Sequence, residues 1–164
     1  MAALFRFPNP VNEVSARLVA GGVVLMAGAA LVLDQTWFVA VIAAGFVARV
    51  LTGPTLSPLG QLVTRVVTPR LPVRPRYVAG PPKRFAQGIG ATLTVSAAVL
   101  HFAFGLTGAA EVLLAAVLVA ATLESVFAFC LGCQVFAVLM RWGVIPDEVC
   151  ERCNDLSLEE PIAA

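Results

Sequence analysis

The chain has 164 residues, 59% of them hydrophobic and 13% charged, with a formal net charge of +1 and a mean hydropathy of +0.90. A soluble domain carries about 25% charged residues, so this composition excludes an ordinary water-soluble globule. The net charge itself says little, because its distribution matters more than its sum; nucleic-acid binding has no aromatic or motif support, and no ATP-binding loop is visible.

The length allows one domain and, at about 20 residues per crossing, four membrane-spanning helices. Lys83 is the single lysine against ten arginines, and Ala and Val dominate. That is the composition of a GC-rich bacterial genome. The N-terminus lacks the basic, apolar and small-residue succession of a secretory leader, so the first apolar segment is expected to be retained.

Asn9-Pro10 is the expected start of the first helix, with Asn as cap and Pro in the first turn. Glu13 and Arg17 have the order and spacing of a helical ion pair. The first span is expected near residues 16–33, with Arg17 reaching out to the interface. Asp34-Gln35-Thr36 is a polar turn. Trp37 opens the second span, near 37–53, which ends at Gly53-Pro54. Arg49 lies close enough to the end of that span to extend to the interface, and is otherwise an intramembrane polar candidate.

The stretch from Pro54 to Arg84 is the most polar. It holds seven prolines together with Arg65, Arg70, Arg74, Arg76, Lys83 and Arg84. Residues 59–67 read as a short interfacial helix, with Leu59, Leu62, Val63 and Val66 on one face. The rest reads as an extended linker whose charge suits anionic lipid. A third span is expected near 86–106 and a fourth near 111–133.

The apolar run from Val112 to Met140 is 29 residues long. Fully helical, it would measure about 43 Å against a hydrocarbon core of about 30 Å. It must project or break, and Gly132 is the candidate break. Small residues four apart, Ala40, Ala44 and Ala48, then Ala116 and Ala120, suit close helix packing. The short turns at Asp34 and at 105–110 carry no basic residue, while the long loop carries six. The positive-inside rule therefore places both termini and that loop in the cytoplasm.

The chemistry-bearing residues are the four cysteines, arranged as two C-x-x-C pairs, Cys130/Cys133 and Cys150/Cys153. Three readings stand side by side. Such pairs perform disulfide exchange or pass sulfur. Two pairs separated by sixteen residues also have the spacing of a four-thiolate zinc site. The intervening chain is long enough to bring the pairs together at the inner membrane face. Packing of small thiols is the third reading. A cytoplasmic position argues against permanent structural disulfides.

Glu124 and His101 are further intramembrane candidates. Glu124 is expected either to pair, with His101 or Arg49, or to stay neutral. On a straight helix it lies about 180° from Cys133 and faces a different neighbour. A proton relay or transport role for Glu124 and His101 is the weaker alternative to a satisfied helix-to-helix hydrogen bond.

Glu124-Ser125, then Phe129-Cys130-Leu131-Gly132-Cys133 with Phe136, then Cys150 and Cys153, resemble domain-of-unknown-function family 4395 of bacterial integral membrane proteins. Asn9-Pro10-Val11-Asn12 and Arg84-Phe85-Ala86-Gln87 are similar to it as well. The resemblance covers nearly the whole chain, and its most specific element is Phe-Cys-Leu-Gly-Cys. It implies an integral membrane protein, supplies no established activity, and suggests thioredoxin-like or sulfurtransferase partners.

The expectation is therefore an all-α, four-helix integral membrane bundle over residues 1–142. A cysteine-containing cytoplasmic tail follows over 143–164. The bundle sits in a bacterial inner membrane, and a homo-oligomer is compatible with it. Its chemistry is thiol redox or sulfur relay, or alternatively a zinc-clamped scaffold.

Overall fold

A computed structural model describes residues 7–34 and 36–150. Asn12 caps the first helix, its side chain accepting the Val14 N–H at 3.0 Å, which satisfies one of the orphan donors of a helix start. The helix α1 then runs Glu13–Val32, α2 Trp37–Thr52, α3 Pro58–Leu62, α4 Gly80–Phe102, α5 Thr107–Phe127 and α6 Leu131–Arg141. The helix start expected at Asn9-Pro10 is thus three residues later. Asn9 instead accepts the Gly80 N–H on its side-chain oxygen at 3.1 Å.

Apart from a two-residue antiparallel pairing, the regular structure among the described residues is helical. In that pairing β1 (Val11–Asn12) meets β2 (Tyr77–Val78), Val11 opposite Val78 and Asn12 opposite Tyr77. Glu13 adds a backbone bond to Arg76 at 2.7 Å and a salt bridge to its guanidinium at 3.2 Å. These contacts tie the proline-rich linker to the start of α1. They also replace the Glu13–Arg17 pair expected within the helix.

The helix α1 packs on α5 and α2, α2 on α4, α4 on α5, and α6 on α4. The core between them holds Val23, Ala27, Ile42, Phe46, Ala97, Leu114, Val117 and Ala121. Among the described residues, three helices, α1, α4 and α5, are long and apolar enough to cross a membrane, and α2 and α6 are shorter apolar helices. At 16 residues, α2 measures about 24 Å, short of a full hydrocarbon core.

Outside the core, large apolar side chains point outward: Leu25, Val41, Val99, Val112, Val119 and Phe127 are exposed. Such a surface suits lipid rather than water. In α2 the buried face is Val39, Ile42, Ala43, Phe46 and Arg49. The Ala40 and Ala44 positions are on the exposed side, so the alanine stripe expected to carry helix packing there does not.

The long apolar run breaks, but not at Gly132. Ala128 takes the left-handed conformation at φ 55° and ends α5. Gly132 lies inside α6, where a Cβ would fall 2.5 Å from Ala86 Cα and Cβ. The glycine is therefore needed for the close approach of α6 to α4. Phe136, buried, meets Phe85 edge-on at 5.6 Å between ring centres.

Between α2 and α4, α3 is followed by a wide turn over Val63–Val67 and a tight turn over Thr68–Arg70. Val63 is buried while Leu62 and Val66 are exposed, so the expected single apolar face is split.

Candidate functional site

The ends of α1, α2, α4 and α5 opposite the short turns converge with the start of α6, and polar side chains collect there. The last carbonyls of α5 lack intrahelical partners. Arg17, from the first turns of α1, supplies them. Its Nε and Nη2 donate to the Ser125 carbonyl at 3.1 and 3.0 Å, and Nη2 also donates to the Val126 carbonyl at 3.1 Å. The Leu123 carbonyl accepts the Ala128 and Phe129 N–H groups. A guanidinium at a helix C-terminus also complements the helix dipole. Arg17 therefore clamps the helix break.

The break makes Cys130 the N-cap of α6, with φ −90° and ψ 102°, and its carbonyl accepts the first helical bond, from Gln134 N–H at 3.1 Å. Cys133 is the third residue of the helix. Both are free thiols, Cys130 buried and Cys133 partly exposed. Lys83, in the first turn of α4, lies within electrostatic reach of both sulfurs.

Lys83 also donates to Glu124 Oε1 at 2.7 Å, with side-chain exposures of 8% and 16%. Glu124 thus pairs with Lys83 and not with His101 or Arg49. His101 lies near the far end of α4, edge-on to Phe102 at 4.7 Å, and takes no part in the cluster. The break also removes the expected opposition of Glu124 and the cysteines: Glu124 and Cys130 line one cavity.

Arg49 is 5% exposed and points inward. Its Nε donates to Gln87 Oε1 at 3.0 Å and its Nη1 to the Ser57 hydroxyl at 3.2 Å. Its guanidinium lies 4.5 Å from the Phe46 ring centre, a cation–π distance. Ser57 is fully buried and caps α3 through Gly60 N–H at 3.2 Å. The chain reaches Ser57 because Gly53, at φ 63°, turns it back at the end of α2, a conformation glycine adopts freely. The inward Arg49 replaces the expected reach to the interface.

Between α1, α2, α4, α5 and α6 lies a cavity of about 280 Å³ lined by Arg49, Gln87, Glu124 and Cys130 among small apolar residues. Ala116 and Ala120 of α5 face Ala16 and Ala20 of α1 and Ala86 and Gly90 of α4 across it. The small residues expected to close the helices together here leave a space instead.

No role at the site was expected of Lys83, Arg17 or Gln87. A lone lysine, the only one in the chain, at the rim of an apolar segment was the available signal for Lys83. Cys153 and the side chain of Cys150 lie outside the described residues. Among the described residues, no three His, Cys, Asp or Glu side chains converge as a metal site.

The fold and this cluster define an all-helical protein with three helices suited to a bilayer and a thiol pair at a helix start. The chain belongs to the DUF4395 family, described as a domain of unknown function, whose family model matches residues 11–141. No curated protein and no solved structure matches the chain significantly.

Proposed function

We propose that this is a multi-pass thiol protein of the bacterial inner membrane that exchanges electrons or sulfur with a soluble thioredoxin-like or sulfurtransferase partner. In this reading α1, α2, α4 and α5 form a four-helix membrane bundle over 1–142, and both termini are cytoplasmic. Cys130 and Cys133 are the membrane-edge dithiol. Cys150 and Cys153, in the tail over 143–164, are the second pair.

The observation that carries the reading is the placement of Cys130 and Cys133 at the N-cap and third position of α6. A helix N-terminus favours a thiolate, the form that attacks a disulfide, while the nearby Lys83 ammonium is already paired with Glu124. Cys133 has the solvent access that a protein partner needs. Orientation is supported by Arg65, Arg70, Arg74 and Arg76, all exposed in the long loop.

The second reading, a scaffold clamped by zinc on all four cysteines, draws on the turn Asp147–Cys150, which packs against α4 and so returns the chain toward the first pair. One preparation separates the two. The protein is purified without reductant, and metal per chain and free thiols are measured. A Cys133→Ser or Cys130→Ser variant is then incubated with an oxidised thioredoxin-like protein. A trapped mixed disulfide and no zinc support exchange. About one zinc per chain, with thiols released by chelator, supports the clamp and refutes exchange.

A further inference from the structure

We infer that the cavity beside Cys130 is a binding site for a lipid-soluble quinone, which accepts the electrons of the Cys130–Cys133 dithiol. The inference rests on the redox reading above and names the electron acceptor.

The two thiols face different surroundings. Cys130 is 7% exposed and lines the cavity, whereas Cys133 is partly exposed and is not among the lining residues. A protein partner can reach Cys133. A group that takes electrons from Cys130 must enter the cavity, so it is small. Ala116 lines the cavity and is also exposed, so the space opens sideways onto the apolar face of α5. A ligand entering that way comes from lipid. At about 280 Å³ the space lies near the lower end of ligand sites, roughly 300–1,000 Å³, and suits one substituted ring with its tail in the bilayer.

The polar groups lining the space fit an acceptor oxygen. Arg49 spends Nε on Gln87 and Nη1 on Ser57. Among the described residues, its Nη2 and the Gln87 Nε2 have no hydrogen-bond partner. No fully buried side-chain nitrogen or oxygen is left without a partner there, so these donors border open space. Arg49 and Gln87 line both this cavity and a neighbouring one of about 570 Å³. Donors bordering an apolar site can bind a carbonyl and stabilise the negative charge that grows on it during reduction. Glu124 is neutralised by Lys83 at 2.7 Å, which lessens its opposition to that charge.

The reaction balances. Cys130 and Cys133 each lose a proton and together lose two electrons as the S–S bond forms. The quinone gains both electrons, and its two oxygens gain both protons, giving the quinol. A thioredoxin-like dithiol then reduces the disulfide through Cys133.

The test uses the full chain in detergent with decylubiquinone as probe and laurate as competitor. Wild type is expected to bind decylubiquinone and to form one quinol per Cys130–Cys133 pair oxidised. Arg49→Leu is expected to bind it about tenfold or more weakly, from loss of a hydrogen bond to a charged donor. Ala120→Phe, which fills the cavity while leaving the Arg49 residue in place, is expected to bind as weakly, and it covers the case in which Arg49→Leu does not fold. Cys130→Ser is expected to bind and form no quinol.

Binding that is absent, or unchanged in Ala120→Phe, overturns the proposal. So does binding of laurate that decylubiquinone fails to displace, which would make the site one for carboxylates, and so does wild-type binding without quinol. A dithiol that a glutathione redox buffer oxidises but decylubiquinone does not sinks this inference and leaves the redox reading standing. A dithiol that no glutathione buffer oxidises sinks the redox reading itself.

Discussion

The Lys83–Glu124 pair joins α4 to α5, and its removal gives the sharpest energetic prediction. The Nζ–Oε1 distance is 2.7 Å, and the side chains are 8% and 16% exposed. Replacing one member leaves the other charge buried without its counter-charge, which costs about 3–5 kcal/mol. Replacing both with apolar or neutral groups of similar size is often neutral, because the desolvation of two charges is avoided at the same time.

Lys83→Met and Glu124→Gln should therefore each lower stability by about 3 kcal/mol or more, while the double variant should recover most of that loss. With a Tm shift of roughly 2–4 °C per kcal/mol for a chain of this size, each single variant should melt on the order of 10 °C lower in detergent. The assay is thermal unfolding of the purified variants followed by helical circular dichroism. Single variants melting within a degree or two of wild type, or a double variant showing the sum of the two losses, would refute the reasoning.

Further outcomes follow from the same geometry. Arg17→Met should lower stability by about 1–3 kcal/mol, since the Ser125 and Val126 carbonyls lose charged donors, and Arg17→Lys should recover part of it in the same melt. Ala128→Gly should raise stability by about 1 kcal/mol, because φ 55° strains a residue with a Cβ. Gly132→Ala should cost about 1–3 kcal/mol by forcing α6 away from Ala86. In a Cys150→Ser/Cys153→Ser background, a water-soluble maleimide should modify Cys133 well before Cys130, read by peptide mass spectrometry. Equal rates would contradict the burial of Cys130.

The apolar segments, the polar turn at Asp34 and the need for the last run to break were all legible, because each follows from hydropathy and length. The position of the break was not. Glycine is the usual left-handed residue, yet Ala128 takes that conformation because Arg17 and the Ala128 and Phe129 N–H groups satisfy the last carbonyls of α5. Gly132 is there for packing against Ala86 instead.

Arg49 read as an interfacial residue because sequence distance to Gly53 suggested an open route to water. The chain turns back at Gly53 and brings Ser57 over it, which no periodicity shows. The Lys83–Glu124 pair spans 41 positions, and such a contact is set by helix packing and not by local pattern. The C-x-x-C motif itself was visible. Its placement at a helix start depends on the break and became apparent only with the fold.

The central claim, that Cys130 and Cys133 form a working redox couple, is tested most directly by a redox titration. The Cys150→Ser/Cys153→Ser protein is equilibrated in glutathione buffers of increasing oxidation, and remaining thiols are counted by alkylation and intact mass. The account predicts that both thiols disappear together in one two-electron step within the range of thioredoxin-like proteins, roughly −120 to −270 mV, leaving an intramolecular disulfide. Two thiols that stay alkylatable at every poise, or that take up glutathione one at a time, would contradict it.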